Sequence, residues 1–182
     1  MVDESAIPGG NSVVFSGGAT YLAIEVRSDR FGFALFQGTA LADWGVRLFS
    51  GRTATRTARK IFQNLLQAHA PSTVVMRDVR RARHASSQKA RRILAIIRAE
   101  LEVLGIPLIV LEPKRVAAYF AGTAKRTKWN IAQLIASLFE ELRLRVPENR
   151  KPWVREAYFM AMFDAVATGL AWSGGVTEPQ QA

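Results

Sequence analysis

The order of the apolar segments constrains this chain more than any other feature. Three short runs, Tyr21 to Val26, Gly32 to Gln37 and Leu41 to Leu48, follow one another at hairpin spacing and read as antiparallel strands. Beyond them the period changes. Thr53 to His69 carries Ala58, Ile61, Leu65 and Ala68 at helical spacing, and Ser72 to Val79 is rich in β-branched residues, as a buried strand is. Ser86 to Leu104 repeats Ala90, Leu94, Ile97, Leu101 and Leu104 on one helical face before Gly105 ends it. Pro107 to Leu111 reads as a further short strand. Pro113 to Phe120, Thr127 to about Leu144 and Pro152 to Trp172 read as helices. A three-strand meander, then α-β-α-β, then helices predicts an α/β fold with a mixed five-stranded sheet flanked by helices. Residues 1 to 19, with Gly9-Gly10 and Gly17-Gly18, read as a flexible leader and 173 to 182 as a flexible tail, which leaves one domain over 20 to 172.

Composition narrows the chemistry. No cysteine is present, which removes disulfide frameworks, thiolate metal sites and cysteine nucleophiles. His69 and His84 are the only histidines, so a bound metal would have to rely on hard oxygen ligands. The net charge of +10 points to a polyanionic partner. No apolar run is long enough to span a bilayer, and the acidic start Met1-Val2-Asp3-Glu4 is unlike a secretory signal. The expectation is a cytoplasmic protein without membrane contact.

The positive charge is clustered. Arg77, Arg80, Arg81, Arg83, His84, Lys89, Arg91, Arg92 and Arg98 follow the fourth strand and run along the second long helix. Lys125, Arg126 and Lys128 form a second group beside Trp129, and Arg143, Arg145, Arg150, Lys151 and Arg155 a third. Arginine forks grip phosphates, and Trp129 or Trp153 can stack on bases or belong to the core.

Three motifs lie inside this order of elements. The first hairpin reads Glu25-Val26-Arg27-Ser28-Asp29-Arg30-Phe31-Gly32-Phe33. A later segment runs from Pro113-Lys114-Arg115-Val116 to Ala121-Gly122, with Lys128 six residues on, and the last helix contains Asp164-Ala165-Val166-Ala167. Together these resemble the RuvC-type Holliday-junction resolvases of the RNase H-like superfamily. Ser28, Gly32 and Phe33 match the family's first hairpin, Glu25 stands where its first catalytic aspartate belongs, Lys128 stands on its lysine, and Asp164 stands on its last catalytic aspartate. The resemblance covers about residues 20 to 172. It implies an RNase H-like fold, DNA with four-way junctions as the partner, a homodimer, and Mg²⁺ (or Mn²⁺) held by carboxylates that hydrolyse a phosphodiester.

The match to that chemistry is partial. Asp78 is the nearest acid to the family's glutamate on the fourth strand, and a slip of one residue would send it to the other face. Where the family has a second acid on the last helix, this chain has Ala161. On a helix from Pro152, Glu156 would lie roughly 12 Å along the axis from Asp164, too far to replace it. Arg27 replaces the family's glycine, two residues after Glu25 and so on the same strand face. A guanidinium there is expected to pair with Glu25, take the electrostatic place of a metal and repel the ion itself. The leading expectation is a nucleic-acid-binding protein for branched or structured DNA, in recombination or repair, with a weakened or lost two-metal site. The alternatives are an active Mg²⁺-dependent endonuclease using Glu25, Asp78 and Asp164, with Lys128 assisting, and a partner-binding domain that keeps only the fold.

The charge clusters predict DNA affinity that falls tenfold or more between about 50 and 200 mM salt. Replacing Arg80, Arg81 and Arg83 together by alanine should flatten the slope of log affinity against log salt. An unchanged slope in a filter-binding titration would place the DNA elsewhere.

Overall fold

The computed structural model of this chain describes residues 19–78, 88–122, 127–149 and 156–174. Strands β1 (Thr20–Val26), β2 (Arg30–Gln37) and β3 (Ala40–Leu48) come first. Helix α1 (Ala54–His69) leads to β4 (Thr73–Arg77), and α2 (Gln88–Leu104) leads to β5 (Leu108–Leu111). The chain then passes through α3 (Pro113–Tyr119), α4 (Lys128–Leu138), a 3-10 turn at Glu140–Arg145 and α5 (Met160–Ser173). The sheet order is β3-β2-β1-β4-β5, with the β3-β2 and β2-β1 pairs antiparallel and the β1-β4 and β4-β5 pairs parallel. This is the mixed five-stranded α/β sheet that the segment order predicts. Among the described residues no helix is long and apolar enough to cross a membrane. The leader and tail lie outside the described residues, except for residues 19, 173 and 174.

Alternation along the strands builds two cores. Leu22, Ile24, Val74 and Met76 face α1 and α2, where Phe62, Leu65, Ile93 and Ile97 pack on them. Ala23, Ala34, Phe36 and Val75 face the other way, onto α4 and α5. The central strands are thus covered on both sides, which explains their near-continuous hydrophobicity.

Several boundaries differ from the sequence reading. The buried face of α1 is Ala54, Ala58, Phe62, Leu65 and Leu66, while Ile61 is only partly covered and Ala68 is exposed. The bulk of Phe62, set edge-on to Phe31, turns that face inward. On α2, Ile93 is buried in the core and Leu104 is exposed. The helix expected to continue to Leu144 stops at Leu138. Phe139 adopts an extended backbone (φ −126°, ψ 100°) that brings its ring to Phe36, and the chain resumes as a 3-10 turn around buried Leu142. The last helix begins at Met160 rather than Pro152. Residues 156–159 form a non-helical approach, with the Tyr158 hydroxyl donating to the Val46 carbonyl of β3 at 3.3 Å.

Helix α5 is buried along nearly its whole length and lies very close to the sheet. Ala161, Ala165 and Gly169 recur every four residues, one small-residue lane on the helix. Below it lie Gly32 and the paired Ala23 and Ala34. A Cβ on Gly32 would stand 1.9 Å from the Ala161 carbonyl oxygen and 2.0 Å from its carbon, so the obstacle is backbone. At the other end, a Cβ on Gly169 would meet the Phe36 ring at 2.5 Å and the Ala23 Cβ at 3.2 Å.

Gly32→Ala should therefore displace α5 and cost about 3 kcal/mol or more, since neither side of the contact can yield. Urea unfolding would measure this. Gly122→Ala, where an added Cβ meets nothing within 4 Å, should stay within about 0.5 kcal/mol of the parent.

Candidate functional site

The close seating of α5 decides what meets at the carboxyl ends of β1 and β4. Glu25 is the sheet partner of Gly32 and shares the face of Ala23, so it points toward α5. It is 1% exposed. On β4, Arg77 follows Val75 on the same face and reaches Glu25, its Nη2 donating to Oε1 at 2.8 Å. Asp164, in the second turn of α5, receives Arg27 Nη2 at 2.5 Å and Lys128 Nζ at 3.0 Å, and Arg77 Nη2 stands 3.7 Å away. Lys128 is the first residue of α4, held there by Thr127, whose hydroxyl caps the helix by accepting from the Asn130 N–H. Glu156, on the approach to α5, completes the group: Oε1 accepts from Lys128 Nζ at 2.5 Å and Oε2 lies 3.3 Å from Arg27 Nη2.

Three carboxylates and three cations thus interlock. The inner part is buried, and Glu25 Oε2 and Arg27 Nε lie there without a hydrogen-bond partner among the described residues. Burial pushes the Glu25 carboxyl above the ordinary glutamate range and the nearby Asp164 charge pushes the same way, against the opposing pull of Arg77 and Arg27. Burial alone would depress the Arg77 guanidinium, but the facing charges of Glu25 and Asp164 outweigh it and hold it above its usual value.

The structure brings Glu25, Arg27, Lys128 and Asp164 together and leaves Asp78 apart. Strand β4 ends at Arg77, which takes the position facing α5. Asp78 follows it with opposite parity and past the strand end, its N–H donating to the Leu111 carbonyl at 2.7 Å. Glu25, Asp78 and Asp164 form no common ligand set: among the described residues no group of three or more His, Cys, Asp or Glu side chains is placed to hold a metal ion. Arg27 does pair with Glu25, at 3.4 Å, but its shorter contact is to Asp164, and Arg77 is the principal partner of Glu25. Strand parity with Val75 was the available signal for Arg77. Glu156 joins the site because it is not on the helix, so the axial distance from Asp164 does not apply. Trp129 is half-buried and donates from its indole to the Pro147 carbonyl at 2.9 Å. Arg80, Arg81, Arg83, Lys125, Arg126 and Trp153 lie outside the described residues.

No family model matches the sequence, and no curated protein sequence is significantly similar to it. Solved structures do match the fold. Thermus thermophilus RuvC in complex with a Holliday junction substrate superimposes with a TM-score of 0.62 at 15% identity, over 84% of this chain and 92% of that one. The yeast mitochondrial Holliday junction resolvase gives 0.61 at 14% identity, over 89% and 80%. Fowlpox virus resolvase, solved with its substrate Holliday junction, gives 0.54 at 12%, over 86% and 99%. The fold is that of the RuvC-like resolvases; at these identities the likeness concerns the fold alone.

The ion cluster makes stability depend on pH in a definite direction. Because the folded-state pKa of Glu25 is raised, its contribution to stability is fully present below the ordinary glutamate value and is lost as pH rises through the folded one. Stability measured for the parent minus Glu25→Gln should therefore decline across that window. Arg77→Met should raise the Glu25 pKa further and destabilise by about 3 kcal/mol, the lower end for breaking a buried pair, because Arg27 remains nearby. Carboxyl NMR titration and urea unfolding at matched pH would check both.

Proposed function

We propose that this protein binds branched or structured DNA through the RuvC-like fold and that its two-metal site is lost. The observation carrying this reading is that guanidinium and ammonium groups occupy the electrostatic place of the ions. A two-ion site needs carboxylate oxygens that face the ions and are free of fixed cations. Here Arg27, Arg77 and Lys128 lie 2.5 to 3.7 Å from the oxygens of Glu25 and Asp164. That donor set does not fit Mg²⁺ or Mn²⁺, and it leaves no hydrolytic step that runs through a metal. The net charge of +10 supports a polyanionic partner. Among the fold's neighbours, Thermus RuvC and fowlpox resolvase are solved with Holliday junctions, which favours a four-way junction as the DNA structure and a homodimer to match its two-fold symmetry. On this reading Arg80, Arg81, Arg83, Lys125 and Arg126 grip the DNA backbone, and the protein serves recombination or repair in the cytoplasm.

A mobility-shift titration with a four-way junction, run beside a cleavage assay in Mg²⁺ and in Mn²⁺, tests the proposal. The expected outcome is salt-dependent binding with little or no cleavage, Mn²⁺ exceeding Mg²⁺ where any is seen. Robust Mg²⁺-dependent cleavage that Asp164→Asn abolishes would overturn it in favour of the endonuclease reading. Absence of salt-dependent binding would leave a partner-binding domain.

A further inference from the structure

Glu156 differs from the other two acids of the cluster. Glu25 and Asp164 sit on β1 and α5 with side chains 1% and 10% exposed, whereas the Glu156 side chain is 39% exposed and its backbone belongs to no helix or strand. Its two carboxylate oxygens divide between Lys128, itself 44% exposed, and Arg27. Without Glu156, three cations would face two carboxylates, leaving one positive charge uncompensated at the mouth of a buried site. Such a residue is costly unless some anion covers it. Arg27 also has capacity to spare, since its Nε is buried with no acceptor among the described residues.

We infer that Glu156 is a stand-in anion, covering a phosphate-binding site formed by Arg27 and Lys128, and that a nucleic-acid phosphodiester displaces it. The inference rests on the DNA-binding reading above and adds the seat of one phosphate. A phosphodiester matches the leaving carboxylate in charge, and it too offers two oxygens to a fork and an ammonium. The exchange swaps one negative charge for another, so the charge balance of the cluster is the same before and after it. Glu156 returns to solvent, where a carboxylate is well hydrated. Glu25 and Asp164 stay in place and hold the two arginines in position.

The test compares Glu156→Gln with Glu102→Gln, which removes the same charge from an exposed position on α2. Junction DNA should bind Glu156→Gln about tenfold more tightly than the parent, the equivalent of one charge-assisted hydrogen bond. The slope of log affinity against log salt should stay near that of the parent, since the same phosphate is seated in both, and Glu102→Gln should not show the tenfold gain. If the parent binds DNA and the two variants behave alike, the stand-in role is overturned while DNA binding survives. If the parent binds no DNA, the functional reading fails and a second measurement decides the site. Inorganic phosphate should then shift the Glu156 side-chain carboxyl carbon in a saturable NMR titration of the parent, and the shift should vanish in Lys128→Met. A Glu156 signal that ignores phosphate would overturn the inference.

Discussion

Helix α5 lies so close to β1 and β2 that two of its contact points admit only glycine. Gly32 lets the Ala161 backbone settle on β2, and Gly169 lets the far end of the helix pass the Phe36 ring. The sheet residues between are Ala23 and Ala34, paired across the strands. Side-chain interdigitation is replaced there by near-contact of backbone with backbone, which fixes the helix along its own axis as well as over the sheet. Asp164 therefore comes down beside Glu25, whose strand partner is the same Gly32. Had β2 carried a side chain at that point, the two acids would be held apart by at least its width. The chemistry of the site is thus a consequence of packing.

Burying two carboxylates side by side is unfavourable, and the three cations answer it from different elements: Arg27 just past β1, Arg77 at the end of β4, Lys128 at the start of α4. Each is positioned by backbone that the fold already fixes. Burial, with the Asp164 charge beside it, raises the Glu25 pKa against the pull of both guanidinium partners, so the compensation is incomplete. Buried ion clusters are often no more stable than well-packed apolar side chains of similar volume. Stability therefore gives no account of why these six charged groups share one site. The proposed phosphate ligand would give one.

Much of this was legible in the chain. The meander, the change of period after Leu48 and the two short buried strands gave the sheet and its layers, since strand and helix periods differ enough to be read directly. Glu25, Arg27, Lys128 and Asp164 were visible because charged residues stand out at the end of an apolar strand, inside an apolar helix and at a helix start. Two members of the site were misjudged for separate reasons. Arg77 and Asp78 are neighbours at a strand end, where parity decides everything and the sequence does not mark which residue is last in the ladder. Glu156 was judged on a helix that begins only at Met160. The approach before it is held by Tyr158 reaching across to β3, a contact between segments more than a hundred residues apart that no local pattern records.

The same positions can support two kinds of site, and the difference lies in where the positive charge is attached. A carboxylate cluster that collects ions from solvent can bring a metal-bound water to a phosphodiester and let the ion stabilise the leaving oxygen. Positive charges tethered to the ends of β1 and β4 and the start of α4 would attract a phosphate as well, but they carry no water and cannot change their coordination. Electrostatic attraction and Lewis acidity are then separated: the first persists at any position where the fold presents a guanidinium, and the second needs oxygen ligands left open to an ion. Arg77 bonded to Glu25, and Arg27 bonded to Asp164, close those ligands from within. On the proposed reading, such a site keeps the means to hold a phosphate in place while giving up the open oxygen ligands that a metal would need.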